Sequence, residues 1–300
     1  MWDPVGFTAP VSLGGRLIQR QILKSNTNCD ELGWDDPLPS DLFPHFMEWI
    51  KSLKGLHSIR IPRSLYPVNI LPEHQELHVF CDASELAIGF VCYMRSRDKD
   101  NNVAVNFVNA ASKVAPRCAT SIPRLELCAA VEAAKAAATV VSDLSNPPKD
   151  VFLYTDSKIV LGYIKNTKRR FVKYIETRVS NILNHSLTEN WIYIKSESNP
   201  GDIASRPHSP SQLANTNWLI GPEFLSCPEY TPKCETKIED LDLPEEIYES
   251  KVLCTPTIEK YSGQTWVFDR FSSLVIVLQL AKIVFILTRH ILSAKTKSIG

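Results

Sequence analysis

Four acidic residues in separate local contexts are the candidates for chemistry in this chain. Asp82 ends the apolar run Leu77-His-Val-Phe-Cys-Asp82, and Glu126 sits in Ile122-Pro-Arg-Leu-Glu-Leu-Cys128. Asp156 ends Val151-Phe-Leu-Tyr-Thr-Asp156, and Asp202 closes Asn199-Pro-Gly-Asp202. Hard cations such as Mg²⁺ take oxygen ligands, and two of them ~3.5–4 Å apart can activate a water and stabilise the leaving oxygen of a phosphodiester. Such a centre needs carboxylates delivered to one point from separate elements, and two strand ends, a helix and a helix start can do that. Singly, each acid also has a structural reading: Asp82 and Asp156 as solvated strand ends, Glu126 as an exposed first-turn residue, Asp202 as an acid facing the helix dipole.

A second chemical signal lies in residues 158–178, which hold seven bases (Lys158, Lys165, Lys168, Arg169, Arg170, Lys173, Arg178) against one acid, Glu176. Formal net charge over the chain is zero, so nucleic-acid binding needs a local basic face of this kind and not a whole-chain field. Each phosphate it neutralised would steepen the salt dependence of binding by about 0.9. A solvated helix surface is the alternative, since only Phe171 and Tyr174 are interleaved.

The elements that must position these groups are legible between 76 and 208. Strands are expected at 76–82, 86–95, 103–109, 151–156 and 191–195, and helices at 122–143, 157–166, 170–185 and 200–206. The polar turn from Arg95 to Asn102 between apolar runs signals a hairpin, so the first three strands should be antiparallel. Runs 77–82 and 151–156 are nearly continuously apolar, as strands covered on both faces are, with the Ala-rich 122–143 helix as the crossover between them. The expected fold class is α/β, a mixed five-stranded sheet flanked by helices. In helix 170–185 the stripe Phe171, Ile175, Val179, Ile182 and Leu183 should face the core.

Outside that block the chain reads differently. Residues 1–75 are rich in Pro and Trp, with one helix-like stretch from Leu42 to Leu53, and read as a connector packed on its neighbour. Residues 209–230 look like loop, and 235–249 carry seven acids against Lys237, an acidic linker. The apolar run 271–292 is interrupted by Gln279 and Lys282, which leaves roughly 14 mostly apolar residues where a membrane span needs ~20, so it reads as the apolar helix of a segment 251–300 that seeks a partner, with a transmembrane anchor as the disfavoured alternative.

With 300 residues, 44% of them hydrophobic and 22% charged, the chain fits a globular protein with one main core and room for a second unit. Its eight cysteines are scattered, several within apolar runs, and no C-x-x-C pair suggests zinc. Reduced thiols in an intracellular protein are expected, and Met1-Trp-Asp-Pro has no secretory-signal pattern.

The motifs Asp82-Ala-Ser, Ile122-Pro-Arg-Leu-Glu126-Leu, Thr155-Asp156-Ser-Lys-Ile-Val-Leu161 and Asn199-Pro-Gly-Asp202-Ile-Ala-Ser-Arg206, in this order, resemble the ribonuclease H part of a Bel/Pao-type LTR retrotransposon polyprotein. Upstream, Trp2-Asp-Pro-Val-Gly-Phe-Thr-Ala-Pro-Val11 and Gly33-Trp-Asp-Asp-Pro-Leu-Pro39 resemble that family's connection region after the reverse-transcriptase palm. The resemblance covers roughly three quarters of the chain and implies a ribonuclease H-like fold. It further implies two Mg²⁺ ions, or Mn²⁺ in their place, on Asp82, Glu126, Asp156 and Asp202, cutting the RNA strand of an RNA–DNA hybrid to leave 3′-hydroxyl and 5′-phosphate ends. Ser84, Glu85 and Ser157 would contact the hybrid across its minor groove, where 2′-hydroxyls mark the RNA strand.

The same resemblance implies a piece of a polyprotein that works in a cytoplasmic particle or the nucleus beside palm and integrase parts, because no Tyr-x-Asp-Asp polymerase motif and no integrase zinc motif or acidic triad is present. It departs from many ribonucleases H in one respect: the loop Lys195-Ser-Glu-Ser-Asn-Pro-Gly201 lacks a histidine to assist product release, and Glu197 is its titratable group. Two other functions stand beside the nuclease. One is a non-catalytic nucleic-acid-binding scaffold. The other is an aspartic peptidase, a description also used for this family region, which the missing glycines after Asp156-Ser and Asp82-Ala disfavour.

Overall fold

The computed structural model describes residues 3–25, 39–61, 64, 74–116, 120–167, 169–233 and 243–244. Lys168, the run 271–292 and, apart from Leu243 and Pro244, the acidic stretch 235–249 lie outside the described residues. The chain divides into two compact units, Met1–Tyr248 and Glu249–Gly300, and every described residue belongs to the first.

Five strands form one sheet: β1 (His74–Ala83), β2 (Ala87–Arg97), β3 (Val103–Val114), β4 (Asp150–Thr155) and β5 (Trp191–Tyr193). Their spatial order is β3-β2-β1-β4-β5. The first three pair antiparallel, while β4 joins β1 in parallel and β5 joins β4 in parallel. This is the mixed α/β sheet the sequence predicts. At the β2–β3 turn Asn101 has φ +62°, and the Asp98 carboxylate accepts the backbone N–H groups of Asp100 and Asn102 and the Asn102 side-chain amide. That network lets a polar turn replace ladder hydrogen bonds at the hairpin tip.

The helices split between the two faces. On one side α3 (Ile122–Asp143) lies across β1 and β2, with α4 (Lys158–Lys165) and α5 (Lys173–Leu183) beside it. Alternation along β1 sends Leu77, Val79 and Cys81 into this layer, against the alanines of α3, Val160, Leu161, Ile175 and Ile182. Phe80 points the other way, into a second core with Val91, Tyr93, Phe107 and Trp218. A strand with two covered faces must be apolar throughout, which is why the 77–82 run is nearly continuous.

The second layer departs from the sequence expectation. Besides α2 (Phe43–Ser52), where a helix is predicted, there is an unexpected α1 (Ala9–Ser25). Gly14 and Gly15 are packing positions within it: a Cβ on Gly15 would lie 2.5 Å from the Trp49 indole of α2. Asp3 supports the entry to α1 by accepting the N–H groups of Gly6, Phe7 and Thr8. Residues 209–230, expected as loop, contain α7 (Pro210–Ala214) and bury Leu213, Trp218 and Leu225 in the second core. Prolines there mark corners and not an absence of packing, and the Trp218 indole N–H donates to the Phe7 carbonyl at 2.8 Å. Strand β3 also runs five residues beyond its expected end at 109, because Ala110, Ala111 and Ser112 are small enough to continue the ladder beneath neighbouring helices.

Candidate active site

Parallel pairing of β1 and β4 sets Phe80 opposite Tyr154. Two residues further on, Asp82 and Asp156 therefore leave the same end of adjacent strands. Glu126 comes to them from the second turn of α3, where Leu125 and Leu127 are buried against the core. Asp202 arrives on α6 (Gly201–Ser205), and its seat explains the Asn199-Pro-Gly-Asp motif. The Asn199 amide donates to the Cys81 carbonyl at 3.1 Å, and its oxygen accepts the Gly201 N–H at 3.0 Å. A Cβ on Gly201 would lie 2.8 Å from the Cys81 carbonyl carbon and 3.0 Å from the Asp82 nitrogen. Only glycine lets α6 start directly on the end of β1.

Each carboxylate is held by a donor from the protein. Ser205 Oγ donates to Asp82 Oδ2 at 2.7 Å, Ser157 Oγ to Glu126 Oε2 at 2.6 Å, and Arg206 Nε to Asp202 Oδ1 at 2.7 Å. Ser196 Oγ makes a short hydrogen bond to Asp156 Oδ2. As the side chains lie, no three His, Cys, Asp or Glu groups stand together in ligating position among the described residues.

The acids are nonetheless one electrostatic group. Burial, together with the charges of Asp156 and Asp202, pushes the Asp82 carboxyl up to about 6 against the pull of Ser205. Burial likewise raises Glu126, with Asp156 and Asp82 adding to it and Ser157 opposing. Two partly desolvated carboxyls, Asp82 and Glu126, raised by the charges of their acidic neighbours, are oxygen-donor chemistry suited to a hard divalent cation. Sulfur is not offered to the site, since Cys81 turns into the α3 core.

The other expected contact residues divide. Ser84 is taken up by the β1–β2 turn, where its hydroxyl donates to the Ser205 carbonyl at 2.7 Å and accepts the N–H groups of Leu86 and Ala87. Glu85 is exposed at that turn. Ser157 caps α4 through the Val160 N–H while it holds Glu126. Lys158 lies with its ammonium 5.4 Å from the Tyr193 ring centre, and Arg170 and Lys173 are exposed where α4 gives way to α5. Lys165 and Arg169 are half-buried there. Phe171 is buried against Tyr163 and offers no surface to a ligand, whereas the Tyr174 ring lies between the guanidiniums of Arg124 and Arg178, 4.4 and 3.3 Å from its centre. Sequence reasoning missed the holding role of Ser196, Ser205 and Arg206. The last two lay within a quoted motif, but nothing in their types shows which carboxylate they reach.

A profile of the family described as the Pao retrotransposon-like RNaseH-like domain matches residues 1–157. The chain belongs to that family. The matched part of this Pao retrotransposon-like domain carries Asp82, Glu126 and Asp156, while α6 with Asp202 lies beyond it. No curated protein matched the chain. Solved structures similar to it include the N-terminal RNase H domain of Rv2228c from Mycobacterium tuberculosis, at 11% identity and TM-score 0.30, covering 41% of this chain and 85% of that one. RNase H1 from Halobacterium salinarum NRC-1 is 14% identical with TM-score 0.28, over 44% and 91%. LC11-RNase H1, solved with an RNA/DNA hybrid, is 13% identical with TM-score 0.24, over 42% and 88%. Likenesses this low add nothing to the family assignment. Among the described residues no helix is long and apolar enough to cross a membrane.

Proposed function

We propose that this Pao-family domain is a metal-dependent endoribonuclease that cuts the RNA strand of RNA–DNA hybrids in the setting of reverse transcription. The observation that carries the reading is that burial, with the charges of Asp156 and Asp202 adding to it, lifts the Asp82 carboxyl to about 6, while burial with Asp156 and Asp82 raises Glu126. Asp82, Glu126, Asp156 and Asp202 would hold two Mg²⁺ ions, with Mn²⁺ as a substitute. When bound, such ions supply an activated water and charge stabilisation at the phosphate.

The chain's own part is positioning. The β1–β4 pairing brings Asp82 and Asp156 to the same end of adjacent strands, and Asn199 with Gly201 seats the start of α6, which carries Asp202, on the end of β1. Serine hydroxyls from three elements orient Asp82, Glu126 and Asp156. Lys158, Arg170 and Lys173 supply positive charge on one flank, where the hybrid backbone would run.

The test is a labelled RNA–DNA hybrid incubated with the full chain and Mg²⁺ or Mn²⁺, beside Asp156→Asn. RNA-strand cleavage that disappears in the variant supports the nuclease. A folded chain that binds the hybrid but leaves it intact at millimolar metal would replace this reading with a non-cleaving scaffold.

Gly89→Ala is a second test. Gly89 pairs with Asp82, and a Cβ there would lie 2.5 Å from the Ala204 Cβ and 2.6 Å from its carbonyl carbon, so α6 must move. A stability loss of ~1–3 kcal/mol is expected from overpacking. Cleavage should fall by on the order of 10²-fold, as happens when reactive groups move by about 1 Å. Unfolding midpoints and initial cleavage rates measured on the same preparation check both, and an unchanged rate would show that α6 does not position the reaction.

A further inference from the structure

A cavity of about 390 Å³ opens at the outer edge of β3, roofed on one side by α1 and on the other by α3. Its polar lining is unevenly satisfied. The two carboxylates are already occupied: Glu132 is paired with Lys113 at 2.5 Å, and both oxygens of Asp3 accept hydrogen bonds at the start of α1. The remaining polar side chains are the cations Arg16 and Lys135, hydroxyls, and the Asn109 amide. Arg16 is exposed and uses one nitrogen on the Ser112 carbonyl at 2.5 Å, which fixes the guanidinium over the strand edge. Lys135, Asn109 and Ser12 reach the same cavity. What the cavity offers a ligand is therefore positive charge and N–H or O–H groups, the side-chain types that contact nucleic-acid phosphates.

Its location fits the same ligand. Ser112 pairs with Gly89 and Gly89 with Asp82, so the cavity lies two strands, roughly 10 Å at ~4.8 Å per strand, from the carboxylates at the same sheet end. Lys135 is nine residues after Glu126 on α3, about 13 Å along the helix axis. A duplex carries one phosphate per strand for each ~3.4 Å of axis, which puts the cavity within about four nucleotides of the carboxylates. It flanks them on the side opposite Lys158, Arg170 and Lys173.

The geometry points to a phosphate-binding site for the hybrid backbone, built by Arg16 of α1 and Lys135 of α3 with Asn109 and Ser12 as neutral donors. This assignment rests on the ribonuclease reading, and it gives α1 a role in holding substrate on the β3 side of the reaction centre.

The experiment measures hybrid affinity of the full chain in Ca²⁺ as a function of salt, for wild type, Arg16→Gln, Lys135→Ala, the double variant, and Lys99→Ala in the distant β2–β3 turn as a control for loss of one surface charge. Each cavity variant is expected to lower the salt slope by about 0.9, and the double variant by about 1.8. Lys99→Ala should leave the slope at the wild-type value. Among the described residues Lys135 makes no hydrogen bond or ion pair, so its variant stays informative even if loss of the Arg16–Ser112 bond loosens α1. Slopes equal to the Lys99→Ala control in a chain that still cuts would overturn the cavity assignment alone. A wild-type chain that neither binds nor cuts hybrid would overturn the ribonuclease reading and this one together.

Discussion

Replacing Asp82 by asparagine is expected to abolish hybrid cleavage while making the metal-free chain more stable. The two effects have one cause. Asp82 is buried beside Asp156 and Asp202, and its carboxyl titrates at about 6 in place of the ordinary 3.8. A carboxyl whose value is raised by folding favours the folded state below the unfolded value and loses that contribution as pH rises through the folded one. Stability of the wild-type chain in chelator should therefore fall between about pH 4 and 6. The step from 3.8 to about 6 corresponds to a ceiling of about 3 kcal/mol at neutral pH, reduced by whatever water still reaches the group.

Asparagine keeps the shape, can still meet Ser205 Oγ, and removes the repelled charge. It also removes an anionic ligand at the strand end. Urea unfolding at pH 4, 5, 6 and 7 in chelator, paired with cleavage assays in Mg²⁺, reads both effects. A variant no more stable than wild type at pH 7 would show that the acids do not repel one another across the site.

The second large effect concerns stability and lies at the opposite end of the sheet. Arg95, essentially inaccessible to solvent, donates to Glu76 Oε2 at 2.7 Å, to the Leu225 carbonyl at 2.8 Å and to the Cys227 carbonyl at 2.9 Å. Burial alone would push the Glu76 carboxyl up, but the hydrogen bonds from His78 and Arg95 outweigh it and hold the group at about 2. Burial pushes His78 down, which leaves Arg95 as the buried positive charge of the network at neutral pH. His78 in turn contacts the Tyr154 hydroxyl at 2.9 Å, and Tyr154 meets Tyr230 at 3.2 Å.

Arg95→Ala removes the buried cation of Glu76, leaving Arg97 at 3.6 Å as the nearest permanent positive charge, and frees the carbonyls of Leu225 and Cys227 at once. A loss of ~3–5 kcal/mol at pH 7 is expected, as for breaking one side of a buried ion pair. The stabilisation that Glu76 contributes above its unfolded value of 4.5, which in wild type persists until pH approaches 2, should shrink in the variant. Denaturant unfolding of Arg95→Ala beside Glu76→Gln/Arg95→Met separates lost packing from stranded charge, because an uncharged pair of similar volume should recover much of the loss. A loss under about 1 kcal/mol for Arg95→Ala would mean that water already solvates Glu76.

Much of this molecule was readable before any coordinates. Strand and helix periodicity located the five strands and the four helices of 76–208 because each apolar run is set by whether one or both faces of its element are covered, a local property of the chain. The Ala-rich register of α3 and the polar turn at 98–102 were legible for the same reason. What could not be read was the second layer. Gly14 and Gly15 sit against the Trp49 indole, and the segment after 208 buries Leu213, Trp218 and Leu225, contacts that only the folded chain supplies.

The same division runs through the site. The sequence by itself determined that four acids occupy strand ends and helix starts, since carboxylates at those positions follow from element boundaries. It also determined that a basic run flanks the third of them. Only the tertiary structure decided which group holds which carboxylate. Ser205 reaches Asp82 across 123 positions and Ser196 reaches Asp156 across 40, and such pairings depend on strand order and helix docking. The buried Glu76–Arg95 network and the β3-edge cavity arose in the same way: their residues are unremarkable polar side chains until folding removes the water around them, and burial is a property of the whole chain and not of any segment.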